Sequence, residues 1–224
     1  MSPRHINSAF DVELLSLKEQ IVSMGSLVDR HVGEAVAALV ERNPERAGRV
    51  IEADRAVNRM ELAIDEQCIR VLALQQPEAS DLRFTAAALK MVTDLERIGD
   101  LAVNMAERVQ ALCEEPALRA IEELPPMAAA AQRMLREVID AFVTGDLGTA
   151  ERVIAADPAI DAWMQRIFEE VKAVMTRDSS AVARGLATIL FAKHVERMGD
   201  HVTNVAEMII FLVSGQDVRH ARSS

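Results

Sequence analysis

Apolar positions recur at spacings of three and four along nearly the whole chain, the pattern of amphipathic helices and not of strands. Breakers cut this pattern into segments. A first helix begins near Phe10 and ends at Asn43-Pro44; a second, running through Val57, Met60, Ile64, Ile69 and Leu72, ends at Pro77. Ser80 and Asp81 are placed to cap a third, which continues to about Glu114, just before Pro116. A less regular stretch closes at Pro125-Pro126, residues that suit the first turn of a following helix. The pattern then restarts. A fourth helix spans about Met127 to Thr144 and stops at Gly145-Asp146. A fifth covers Leu147 to Thr176 with Pro158 as a kink or internal break, and a sixth runs from about Ser180 to Val213.

Three helices, a Pro-Pro link and three more helices indicate an internal duplication, and the residues repeat with them. Glu96-Arg97-Ile98-Gly99-Asp100 returns as Glu196-Arg197-Met198-Gly199-Asp200, followed in both copies by Asn104 or Asn204 and Glu107 or Glu207. Val50-Ile51-Glu52-Ala53-Asp54 resembles Val153-Ile154-Ala155-Ala156-Asp157. The spacing is too long for a solenoid and predicts an all-α fold of six helices in two similar three-helix bundles, residues 1–124 and 125–224. Helices of about 30 residues are about 45 Å long, which makes the expected molecule elongated.

Composition supports this. Of 224 residues 50% are apolar and only 3% aromatic, with no Tyr, which leaves little of the material that packs pleated sheets. The net charge of −10 and the lack of a Lys/Arg cluster argue against nucleic acid as a partner. Cys68 and Cys113 have no metal or redox spacing and read as free thiols in helical patterns. No signal-peptide core follows the N-terminus, and apolar runs such as Met208 to Val213 are far short of the roughly 20 residues of a membrane span. The expected location is the cytoplasm, with any membrane contact made through partner proteins.

The charged positions carry the candidate chemistry. Leu95, Ile98, Ala102, Met105 and Val109 form a core seam in the third helix, matched by Val195, Met198, Val202, Val205, Ile209 and Leu212 in the sixth. Glu96, Asp100, Asn104 and Glu107 align on the same wheel roughly opposite that seam, and Glu196, Asp200, Asn204 and Glu207 repeat the line. Carboxylates one turn apart repel when ionised and can share a hard cation, with a neighbouring helix completing the oxygen shell. The second helix offers Asp54 and Asn58 for this, and the fifth offers Asp157 and Asp161. An acidic face opposite a core seam is more often simply solvated. Gly99 and Gly199, costly inside helices, point to close approach of another backbone. Arg97 and Arg197 can pair with acids, and His194 and His201 read as incidental.

Gln75-Gln76-Pro77, Ser80-Asp81-Leu82-Arg83, Asp94 to Asp100 with Asn104, and His194 to His201 with Asn204, followed by the closing Gly215 to His220, together resemble the PhoU family of bacterial phosphate-transport regulators. The resemblance covers nearly the whole chain in order. It implies two three-helix bundles, commonly dimerised. It also implies metal-binding Glu/Asp-x-x-x-Asp motifs, here Glu96 with Asp100 and Glu196 with Asp200, supported by Asp157 and Asp161 and, in the first repeat, Asp54. Iron, manganese, magnesium or zinc are the metals in question. Asn58 replaces a carboxylate in the first site, so the second is expected to bind more strongly. The implied role is a non-enzymatic brake on phosphate uptake and on the starvation response. It would act as an adaptor between the ATPase subunit of the phosphate ABC transporter and a sensor histidine kinase. A ferritin-like di-iron enzyme is disfavoured because no Glu-x-x-His occurs. A plain helical scaffold, or a paralogue that tunes uptake without transcriptional control, stands as the alternative.

Overall fold

The structure is a computed structural model, and it describes residues 8–74, 79–114 and 116–218. Among these there are no strands. Helix α1 spans Ser8–Glu41, α2 Pro44–Ala53, α3 Arg55–Leu74, α4 Ala79–Cys113, α5 Leu124–Thr144, α6 Leu147–Arg177 and α7 Val182–Ser214. Short 3-10 turns at Arg119–Glu123 and Ser179–Ala181 lead into α5 and α7. The six-helix plan holds because α2 and α3 are one helix interrupted at Asp54. There the Val57 amide donates to the Asp54 carbonyl at 2.8 Å, a tightened turn that breaks the regular ladder. Its counterpart α6 runs unbroken through Pro158.

The helix ends follow from local chemistry. The Asn43 side chain accepts from the Arg46 amide at 2.8 Å, with Pro44 in the first turn. Asp146 does the same for Thr149. Gly145 adopts φ 70° and Gly215 φ 74°, left-handed C-terminal positions that a side chain would strain. Pro125 and Pro126 lie in the first turn of α5. Two expectations change. Among the described residues helix α4 spans Ala79–Cys113, so Ser80 and Asp81 already lie inside the helix. On α3 the core positions are Val57, Ile64, Cys68 and Val71, whereas Ile69 points to solvent. The predicted stop at Pro77 and the motif at Gln75-Gln76, like Arg219 and His220, lie outside the described residues.

Helices α1 to α4 form one bundle and α5 to α7 the other. They join chiefly through α4 against α7, with α1 against α5 as a second contact. Helices α4 and α7 run antiparallel, since Asp94 meets His201 and Asn204 while Leu89 lies near Met208. The predicted seams are buried from Leu95 to Val109 and from Val195 to Ile209, with Leu212 at the edge of the core. A single hydrophobic cluster extends through both repeats. Cys68 is buried, and burial pushes its thiol up to about 12; Cys113 is half-buried and also free.

A shared core predicts one cooperative transition. Leu95→Ala removes a fully buried side chain and is expected to cost about 2–5 kcal/mol in urea unfolding. Circular dichroism and the fluorescence of Trp163, in the opposite repeat, should shift together; separate midpoints would show two independent cores.

Candidate functional site

Each repeat has a groove between its second and third helices, and the third-helix glycine sets its width. A Cβ on Gly199 would lie 2.7 Å from Asp157 Oδ1, and one on Gly99 would lie 3.1 Å from Val57 Cγ1 and 3.5 Å from Asp54 Oδ1. The glycines therefore let the aspartate-bearing helix approach α4 and α7, as their cost inside a helix implies. The carboxylate line consequently differs from a solvated outer face. The side chains of Glu96 and Glu196 are only 15% and 16% exposed, because α3 and α6 cover them.

In the first groove Asp54 and Asn58 from the α2–α3 helix face Glu96 and Asp100 from α4. Asn58 Nδ2 donates to Asp54 Oδ2 at 3.0 Å, while Asp54 Oδ1 and Asn58 Oδ1 are buried without a hydrogen-bond partner. Burial first, then the charge of Asp100, raises the Asp54 carboxyl above its ordinary range. Glu96 is raised by burial, then by Asp100, against the opposing effect of Arg97. Two further carboxylates were missed in the sequence. Glu61 and Asp65 continue the α3 row at helical spacing, and burial raises both. Their alignment with Asp54 and Asn58 was readable, but the matching positions of α6 are Met164 and Phe168, so a search for repeated acids passes over them. His31 of α1 was also missed; it is 6% exposed, and burial lowers it although the nearby Asp54 opposes this. Arg97 lies 3.3 Å from Asp100 and 3.5 Å from Glu96, the pairing expected of it.

In the second groove Asp157 and Asp161 face Glu196 and Asp200. Lys193 Nζ is 2.7 Å from Glu196 Oε1 and 2.6 Å from Oε2. Asp200 is raised by burial first and then by Glu196, with a smaller contribution from Asp161. Asn204 departs from the expected oxygen line. Its Nδ2 donates to Asp94 Oδ1 at 3.1 Å, and His201 Nδ1 lies 2.8 Å from the same oxygen. His201 thus ties the two repeats together and is not incidental. His194, where the first repeat has Asp94, is lowered by burial and then by Arg108 and Arg197.

The donors fit a hard cation in chemistry, being carboxylate oxygens with like charges crowded together and orphaned oxygens at Asp54 and Asn58. Among the described residues, however, no three His, Cys, Asp or Glu side chains stand together as a ready ligand set.

The family model described as the PhoU domain matches twice, over residues 21–109 and 124–209. The chain belongs to the PhoU family. It is 40% identical over 217 residues to the phosphate-specific transport system accessory protein PhoU homolog of Pseudomonas putida, covering 96% of this chain and 85% of that one. It is 35% identical to the accessory protein PhoU of Escherichia coli K12, covering 97% and 90%. The crystal structure of PhoU from Pseudomonas aeruginosa superposes with a TM-score of 0.90 at 38% identity, over 92% of this chain and 100% of that one. The Streptococcus pneumoniae PhoU structure gives 0.87 at 30% identity, over 93% and 99%. The PhoU fold is therefore shown by solved relatives, and these relatives are named as accessory or regulatory proteins.

The raised carboxyls set a pH dependence. A carboxyl whose folded pKa is raised stabilises the fold below its unfolded pKa, and that stability is lost as pH rises through the folded value. Metal-free protein should therefore gain from Asp54, Glu61, Asp65 and Glu96 as pH falls from neutrality towards the ordinary carboxylate range. The lowered His31 and His194 act oppositely, losing stability as pH falls, so the comparison must be with a variant. Asp54→Asn with Glu96→Gln should melt higher than wild type at pH 7.5, with the gap narrowing by pH 5. A constant gap in scanning calorimetry would refute the assignment.

Proposed function

We propose that this chain restrains phosphate uptake and holds the phosphate-starvation response off when phosphate is plentiful. In this reading it acts in the cytoplasm as a homodimeric adaptor. It links the ATPase subunit of the high-affinity phosphate ABC transporter to the sensor histidine kinase of the response. It reaches the membrane only through these partners; no helix of the described residues is long and apolar enough to cross one. The supporting observation is the near full-length likeness to relatives named as accessory proteins of phosphate-specific transport. Those names describe no enzyme, which favours a regulator over a catalyst.

The grooves serve this role as cation sites. Glu96 and Asp100 with Asp54 would bind in the first repeat, and Glu196 and Asp200 with Asp157 and Asp161 in the second. Side chains must turn inward to complete either shell, and Arg97 or Lys193 must release its acids. A hard divalent cation such as magnesium or manganese suits all-oxygen donors, and iron or zinc fit less selectively. The sequence alone favours the second groove, because Asn58 is neutral. The folded chain favours the first, where Glu61 and Asp65 add acidic side chains at positions that hold Met164 and Phe168 in the second.

Cells lacking the gene, grown in ample phosphate, should show high alkaline phosphatase activity that the wild-type gene returns to baseline. Unchanged activity with altered phosphate uptake would instead indicate a paralogue that tunes transport alone. Manganese at about a hundred times its dissociation constant should stabilise the wild-type protein by about 2.7 kcal/mol, a rise in melting temperature of about 5–10 °C. Glu96→Gln with Asp100→Asn should remove more of that rise than Glu196→Gln with Asp200→Asn. An equal rise in all three proteins would end the metal assignment.

A further inference from the structure

The two grooves have diverged at the end away from the shared aspartates. Helix α7 carries Val182, Leu186 and Leu190 one turn apart, all solvent-exposed, with Leu186 at 51%. The corresponding α4 positions are Leu82, Ala86 and Lys90. Helix α6 adds Phe168, also exposed, and the half-buried Met164, where α3 has Asp65 and Glu61. Helices α6 and α7 run antiparallel: a Cβ on Gly185 would meet Met175 and Val171, and one on Gly199 would meet Asp157. This register sets Phe168 at the level of Leu190. The α4 row also exposes Leu82 but gives way to Lys90, so only the α6–α7 copy continues its apolar row to Leu190 and Phe168, which marks an interaction surface more than a packing need.

Charge distinguishes the two ends. Beyond Leu190 the face passes Lys193, already paired with Glu196, and the exposed Arg197, and reaches Asp161 and Asp200. There the carboxylates Asp157, Asp161, Glu196 and Asp200 outnumber the cations Lys193 and Arg197, so negative charge is in excess. At the opposite end lie Lys172, paired with Glu169, and Arg177. We propose that this α6–α7 face seats an amphipathic helix of a partner protein. Its apolar residues, one turn apart, lie over Leu186 and Leu190, and its Lys or Arg side chains follow over Asp161 and Asp200. From Val182 to Asp200 the face is about 27 Å long at 1.5 Å per residue, which a partner helix of about five turns spans. The inference names a docking surface for the adaptor role proposed above and rests on that role. A partner's Lys or Arg over Asp200 would compete with a metal ion in the second groove.

The test is a photo-crosslinking amino acid at position 186 of the full chain in its native cells, with one at exposed Leu62 of α3 as control. Mass spectrometry of the adduct should find a segment with apolar residues one turn apart followed by Lys or Arg, absent from the Leu62 control. A synthetic peptide of that segment should bind about tenfold more weakly to Leu186→Glu and be unaffected by Leu62→Glu. An adduct to a second copy of this chain, to lipid, or to the same peptide from both positions would overturn the proposal, as would none. Adduct chemistry and alkaline phosphatase control are read separately, so a failed docking surface is distinguishable from a failed regulatory role.

Discussion

The architecture depends on the dry antiparallel seam between α4 and α7. Residues such as Leu95, Ile98 and Met105 on one helix, and Val195, Met198 and Val202 on the other, are fully buried. Burial of that apolar area is the main favourable term holding the repeats together. Because the seam takes one side of each helix, the charged motif is displaced to the flank. There the second helix of the same repeat leans over it, at Gly99 and Gly199. The carboxylates are thus trapped between packing surfaces, and their raised proton affinity is a by-product of how the core is built.

The repeats use this frame differently. The first groove is acidic along its length, from Asp54 through Glu61 and Asp65, with Arg97 opposite. The second is acidic at one end only and gives way to Met164 and Phe168. A duplicated scaffold supplies two related sites, and the helix break at Asp54 together with side-chain replacement gives them unequal chemistry.

Much of the fold was legible because its signals are local. Asn43-Pro44, Gly145-Asp146 and the Pro125-Pro126 pair end or begin helices through hydrogen bonds within a turn, and the seam positions follow from period alone. The candidate site was legible as a motif but not as an environment. Periodicity placed Glu96 and Asp100 opposite the seam, yet could not show that α3 lies across them. Likewise nothing near His201 in the sequence signals a partner at Asp94, more than a hundred residues away. Long-range pairing of that kind is set by the packing of whole helices, which no local window contains.

The bridge from Asp94 to His201 and Asn204 also bears on how such a gene can change. Tandem copies are prone to being overwritten by one another. If α7 were replaced with a copy of α4, Asp94 would face a leucine at position 201 and keep only the amide at position 204. Copied the other way, a histidine at position 94 would face His201. Each exchange destroys a pairing that only unlike halves can make, so the contact that joins the repeats also selects against their becoming identical again.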